Sequence, residues 1–238
     1  MPPERDVDRV LVITAHPDDV DFGAGGTVAS WTESGIDVTY CIVTDGDAGG
    51  FDPAVPRSEI GGIRRAEQTA AAAELGVSEL VFLGYPDGQL EVSMGLRRDL
   101  ARVIRTVRPQ RVLCHTPERT YDSVYGSHPD HLAVGEAALC AVYPDARNPF
   151  AHPELAAEGH LEWTVSEVWM MAAGHGPTFV DITGTFPRKV AALRRHASQL
   201  TDPAGIEERM RQWGSAQAEG AGLSGDRLAE GFRVLATA

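Results

Sequence analysis

The apolar positions of the chain come in short runs set apart by polar punctuation. Val10-Leu11-Val12-Ile13 is continuous and brief, the length of a buried strand rather than a helix. Val38–Val43, Leu80–Leu83 and Val112–Cys114 repeat that pattern and read as three more strands. Between them the spacing changes. Gly23–Ser34 reads as a helix stopped by Gly35, and Arg64–Leu75 as one stopped by Gly76. Leu96, Leu100, Val103, Ile104 and Val107 recur at helical intervals, and a further helix opens near Pro129 and runs to about Val142. The loop Thr44–Pro56 and the turn Gly84–Gly88 are rich in Gly, Asp and Pro. Strand and helix thus alternate four times. This predicts an α/β fold, a Rossmann-like doubly wound parallel sheet with helices on both faces. Right-handed crossovers in the order 3-2-1-4 set strands 1 and 4 side by side, and a ligand site is expected outside their carboxyl ends.

Beyond Tyr143 the pattern loosens. Pro144–Trp163 reads as a long loop or lid. Val165–Met171 and Phe179–Ile182 look like late strands, and Phe186–Leu200 like a helix. Residues 201–238 are rich in Ala, Gly and Glu and read as a surface helix with loose ends. With no repeat and no linker, residues 1–238 are expected to form a single domain with its core over about 9–200 and a surface tail at 201–238.

Composition narrows the class of partner. The chain has 238 residues, 43% of them hydrophobic, which supports a sizeable core. A formal charge of −13 argues against nucleic acid and against an anionic membrane surface. No run of ~18 apolar residues marks a membrane span. The stretch Met1–Asp6 is charged and lacks an apolar signal core, so a cytoplasmic protein is expected. Cys41, Cys114 and Cys140 stand apart from one another and read as reduced packing residues. A homo-oligomer is compatible with all of this.

The chemistry concentrates in two places. Ala15-His16-Pro17-Asp18-Asp19 follows the first strand, and Ser127-His128-Pro129-Asp130-His131 follows the fourth after a loop. One imidazole and two adjacent carboxylates at a strand end suggest a metal and a base; a polar turn capping the next helix is the bland alternative. Pro129 suits a first helical turn, and His128 and His131 then share one side of it. A catalytic zinc takes three protein ligands and keeps one position for water. His16, Asp19 and His131 would make such a two-His, one-carboxylate set. Two His-Pro-Asp tripeptides that the topology brings together are hard to explain as unrelated caps.

Other motifs carry less. Gly23-Ala24-Gly25-Gly26-Thr27-Val28 starts eight residues past Ala15 and ends in Val, which fits close helix packing better than a dinucleotide fingerprint. Asp45-Gly46-Asp47 is an Asp-x-Asp, more simply a rim of the pocket. His115 reads as a hydrogen-bonded core residue. His152, His160 and His175 have no spaced partners. No Gly-x-Ser-x-Gly elbow is present.

Over roughly Arg9–Leu200 the sequence resembles the LmbE-like or PIG-L family of zinc-dependent de-N-acetylases. The resemblance rests on the two His-Pro-Asp motifs. It is supported by Arg64-x-x-Glu67-x-x-x-Ala71, Tyr85-Pro86-Asp87-Gly88 and Ala192-Leu193-x-x-His196-x-Ser198-Gln199. It implies His16, Asp19 and His131 as zinc ligands and Asp18 as general base. It implies His128 as the group that protonates the leaving amine or steadies the oxyanion, with Asp130 orienting it. Arg64 and Asp87 match positions that hold sugar hydroxyls, and His196 and Gln199 belong to a late motif without an evident role. Iron suits the same ligand set. Two departures stand out: Val20 where many members have Glu, with an acid at Asp21, and Gly126 where some have a carbonyl-polarising Tyr, with Tyr125 beside it.

The function this implies is hydrolysis of an acetyl or other acyl group from the amide nitrogen of a small amino-sugar compound. The alternatives are an amidase for a larger conjugate or natural-product intermediate, and a non-catalytic metal- or sugar-binding protein on the same fold.

Overall fold

The structure is a computed structural model that describes residues 7–121, 124, 127–171, 178–223 and 225–237. The first half alternates as the apolar runs predict: β1 (Arg9–Thr14), α1 (Asp19–Glu33), β2 (Asp37–Thr44), α2 (Arg57–Glu74), β3 (Glu79–Tyr85), α3 (Met94–Val107), β4 (Arg111–His115) and α4 (Pro129–Cys140). Then come α5 (Pro153–Ala157), β5 (Glu167–Met171), β6 (Thr178–Asp181), α6 (Phe186–Leu193), α7 (Ile206–Gly220) and β7 (Ala229–Ala236). The seven strands lie in the order β3-β2-β1-β4-β5-β7-β6. β1 pairs in parallel with β2 on one side and β4 on the other, with Ile13 opposite Cys114. β7 runs antiparallel to both β5 and β6, so the sheet is mixed rather than wholly parallel.

The alternation within β1 shows why its four central residues, Val10 to Ile13, are all apolar. Val10 and Val12 point into the layer made by α1, α2, α6 and α7. Leu11 and Ile13 point into the layer made by α3 and α4. Both faces of the strand are covered, so these central positions are apolar on either side. Close packing also accounts for the glycines of α1. A Cβ on Gly26 would stand 2.7 Å from the Cβ of Ile182, nearer than two carbons can approach.

Three expectations are corrected. Residues 144–163 are not a lid over the site. The guanidinium of Arg105 donates to the carbonyls of Asp145, Ala146, Asn148, Ala151 and His160. Trp163 donates from Nε1 to the Pro109 carbonyl, and Ser166 N–H bonds to Gln110. Those anchors precede β4, so the segment lies at the amino end of the parallel strands, across the molecule from their carboxyl ends. The tail is not a surface appendage either. Its last strand, β7, is hydrogen-bonded on both sides, and Phe232 is fully buried. The core therefore extends well past residue 200. Finally, the helix expected over Phe186–Leu200 stops at Leu193, and a single 3-10 turn follows at Ala197–Gln199. His196 sits in the break, fully buried, where its side chain meets Asp21.

Candidate active site

Where β1 ends, Thr44 clamps the chain: its N–H and hydroxyl both donate to the Ala15 carbonyl, at 2.8 and 2.9 Å. The backbone then turns sharply. Asp18 takes a left-handed conformation, φ 86°, that few non-glycine residues adopt. This turn sends the Asp18 and Asp19 side chains in different directions. Asp19 opens α1 and folds back so that its Oδ2 accepts from the His16 N–H at 2.7 Å.

The second motif arrives on α4, which lies against the end of β4. A Cβ on Gly135 would stand 2.7 Å from the His115 carbonyl, so glycine there lets the helix approach. His128 is the N-cap of α4: its Nδ1 accepts from Asp130 N–H, and Pro129 takes the first helical position. One turn of helix then carries His131 beside His16.

Donor atoms of three residues come together, Asp19 through both of its oxygens. His16 Nδ1 lies 3.4 Å from Asp19 Oδ2 and 3.3 Å from His131 Nε2, which lies 3.0 Å from Asp19 Oδ1. Ligands bonded to a tetrahedral cation at ~2.0 Å stand ~3.3 Å apart, so the spacing fits such an ion. The surroundings fit it too. His16 Nε2 faces Asp87 Oδ1 at 3.0 Å and Asp130 Oδ2 at 3.2 Å. An imidazole that donates Nε2–H to a carboxylate turns the Nδ1 lone pair toward the metal position. His115 Nε2 lies 3.0 Å from Asp19 Oδ2, and its ring stacks on His131 at 4.1 Å.

The electrostatics are those of a cation hole. Burial alone would lower the His16 pKa, but Asp19, Asp130 and Asp87 outweigh it and carry it up to about 12. Asp19 is held well below the usual carboxylate range: burial opposes this, and His131, His115 and His16 overcome it. Asp18 behaves oppositely. Burial and the neighbouring Asp19 charge push it up to about 6, against the pull of Arg64. Two adjacent carboxylates are thus driven apart, one toward metal binding and one toward carrying a proton. His128 is lowered, first by burial and then by His16 and His131.

Against this geometry the comparisons with known proteins are decisive. Residues 11–142 match the family model described as PIG-L, GlcNAc-PI de-N-acetylase. The chain belongs to the PIG-L family. It is 35% identical over 98% of its length to the diacetylchitobiose deacetylase of Thermococcus kodakarensis, covering 85% of that relative. It is 30% identical over 84% of its length to the 1D-myo-inositol 2-acetamido-2-deoxy-alpha-D-glucopyranoside deacetylase of Rhodococcus erythropolis, covering 84% of it. Among solved structures, the N,N'-diacetylchitobiose deacetylase of Pyrococcus horikoshii, bound to an inhibitor, superposes with a TM-score of 0.88 at 31% identity. That alignment covers 97% of this chain and 85% of the other.

In this PIG-L chain the residues singled out in the two motifs come together, but not all as expected. Asp130 does not orient His128 with its carboxylate. Its two oxygens accept from Gly88 and Leu90 N–H and contact His16, and only its backbone meets His128. Asp87 is buried, engaged with His16 and with the Ala48 N–H. Arg64 is also buried. Its guanidinium donates to Asp18 Oδ2 at 2.9 Å, to the Pro17 carbonyl at 2.5 Å and to the Gly46 carbonyl at 3.3 Å. Both residues expected to hold sugar hydroxyls are therefore spent on the protein itself. Tyr125 and Gly126 lie outside the described residues, as does His175. Asp45 and Asp47 are engaged by Arg65 and Arg57, and so do not form a free Asp-x-Asp pair.

Gln68 was missed, though it lies on the same face of α2 as Arg64, one turn on. It accepts the Asp18 N–H and donates to Asp21. The helical spacing to Arg64 was the available signal.

Proposed function

We propose that this protein is a zinc-dependent amide hydrolase that removes an acetyl group from the nitrogen of a small N-acetylated amino-sugar compound. One observation carries the reading: His16 Nδ1, Asp19 and His131 Nε2 converge at 3.0–3.4 Å beside a second carboxylate, Asp18, whose pKa is pushed up to about 6. A simple binding site has no use for that second carboxylate. The named relatives, deacetylases of diacetylchitobiose and of a 2-acetamido glucoside, support the substrate class.

His16, Asp19 and His131 would hold the zinc, which supplies a water acidified toward neutral pH and polarisation of the amide carbonyl. Iron would suit the same ligands. Asp87 and Asp130 keep His16 in the ligating tautomer. Asp18 Oδ2 is held by Arg64, which leaves Oδ1 to take the proton of the attacking water. Asp18 then carries that proton to the departing nitrogen, a transfer suited to a group that ionises close to the working pH. Since His128 Nδ1 accepts a backbone N–H, its neutral ring carries hydrogen on Nε2. That N–H is the donor for the oxyanion that forms at the acetyl carbon. Tyr125 is the further candidate for that task.

The test is acetate release from N-acetylglucosamine and N,N'-diacetylchitobiose by metal-loaded protein, alongside metal analysis. About one metal ion per chain and release from at least one substrate is the expected result. Metal binding without release from any N-acetylated sugar would move the reading to a larger amide.

A further inference from the structure

We propose that Gln68, Asp21 and His196 form a buried positioning chain for Asp18, fixing its backbone so that its carboxylate faces the attacking water. The proposal rests on the reading of Asp18 as general base.

Asp18 sits in a left-handed conformation at φ 86°, the start of a turn with no side-chain cap of its own. Such a conformation is strained and persists only where its surroundings over-determine it. Two groups one helical turn apart on α2 do so. Arg64 holds the carboxylate and the preceding carbonyl, and Gln68 Oε1 accepts the Asp18 N–H at 2.7 Å.

An amide side chain is a good clamp only if it is prevented from flipping. Gln68 is prevented: its Nε2 donates to Asp21 Oδ2 at 2.9 Å. That same oxygen accepts from His196 Nε2 at 2.8 Å. A flipped Gln68 would set an oxygen against the Asp21 carboxylate and an N–H against the Asp18 N–H. Gln68, Asp21 and His196 are each fully buried, so no water can replace a lost partner. None of the three is among the converging ligand atoms. They connect α2, α1 and the break after α6 to a single backbone N–H.

This accounts for two features that the sequence leaves open. Asp21, the acid displaced by one position from Val20, is the hub that accepts both donors. His196, in the late His-x-Ser-Gln motif, is its outer anchor. Next to it, Ser198 donates from its N–H and hydroxyl to Glu67, one residue before Gln68, and ties the same turn to α2.

The decisive variant is Gln68→Met, which keeps volume and removes both hydrogen-bonding ends. Expected are a kcat lowered ~10- to 100-fold, as a small misplacement of a reacting group costs, and a KM within twofold of the parent. Metal content and circular-dichroism spectrum are expected unchanged. In an Asp18→Asn background the same change should lower kcat by less than threefold, because the group it positions is already gone. Full additivity of the two effects would overturn the proposal, as would a kcat for Gln68→Met equal to the parent's.

A second pair guards against misfolding. His196→Gln places an amide N–H at the point now held by Nε2 and should keep at least a third of the parent kcat. His196→Leu should fall as Gln68→Met does, with metal retained. Equal kcat for the two, high or low, would overturn the chain. Normal turnover in Asp18→Asn alone would instead sink the reading of Asp18 as base, a failure distinct from the others.

Discussion

Two clusters of buried charge touch α1. At one, Lys189 and Glu230 form an ion pair, with Nζ 2.6 Å from Glu230 Oε1 and 2.6 Å from the Phe22 carbonyl. The Glu230 carboxylate also accepts from Gly26 N–H, Thr27 N–H and the Thr27 hydroxyl. At the other lie His16, Asp19 and His131. The first cluster is complete. Each oxygen of the glutamate has its donors, and the pair ties β7 and α6 to α1. The second is crowded: His16, Asp19 and His131 bring donor atoms to 3.0–3.4 Å of one another. His115 Nε2 is shared there between Asp19 and the Ala15 N–H, and a single ring nitrogen cannot donate to one and accept from the other in one protonation state. Burial of charge is therefore not what marks a site. Convergence that the protein leaves unbalanced is.

The sharpest way to break the contrast is to remove a converging ligand. Asp19→Ala should lose the bound metal and all measurable acetate release while keeping its far-UV spectrum; metal retained at the parent's stoichiometry would put the ligand set elsewhere. Asp18→Asn comes next, with metal retained and kcat down ~10²–10⁴-fold, the range of general acid–base catalysis.

On the complete side of the comparison the effect should be on stability alone. Lys189→Met strands a buried carboxylate and should cost ~3–5 kcal/mol in urea unfolding. Adding Glu230→Gln should restore much of that loss, and kcat per folded molecule should stay within twofold throughout. A selective loss of kcat would join the two clusters and erase the distinction drawn between them.

The smallest effect concerns pH. Burial would lower the His196 pKa, but Asp21 and the charges of Asp18 and Glu67 raise it above its ordinary value. A raised folded-state pKa means that stability is fully present below the unfolded value, ~6.5. It is then lost as pH rises through the folded one. His196→Gln should therefore flatten the decline of Tm with rising pH above 6.5. Parallel pH curves for parent and variant would show that His196 stays neutral.

Much of this was legible in the chain. Continuous apolar runs of strand length, each followed by a helical pattern, led to the order 3-2-1-4 and to the meeting of the two His-Pro-Asp motifs. The helix starts were less so. α2 begins at Arg57 rather than Arg64; the glycine pair Gly61-Gly62 in its first turns weakens the helical signal there. β7 was hidden by composition. Ala-Glu-Gly-Phe looks like tail, yet Glu230 is a buried partner for Lys189 and Gly231 packs against Phe179.

Sequence alone determined the fold class and the meeting of the two His-Pro-Asp motifs beyond the ends of β1 and β4. These follow from periodicity and from the limited menu of right-handed α/β connections. Only the tertiary structure decided what each side chain is for. It turned Arg64 and Asp87 inward from the expected sugar contacts, gave the Asp130 carboxylate to His16 rather than His128, and put residues 144–163 at the far end of the sheet. It also joined Gln68, Asp21 and His196 behind Asp18. The physical reason is that a hydrogen bond is settled over about 3 Å. Its partners here lie up to 204 residues apart in the chain, where no local pattern reaches.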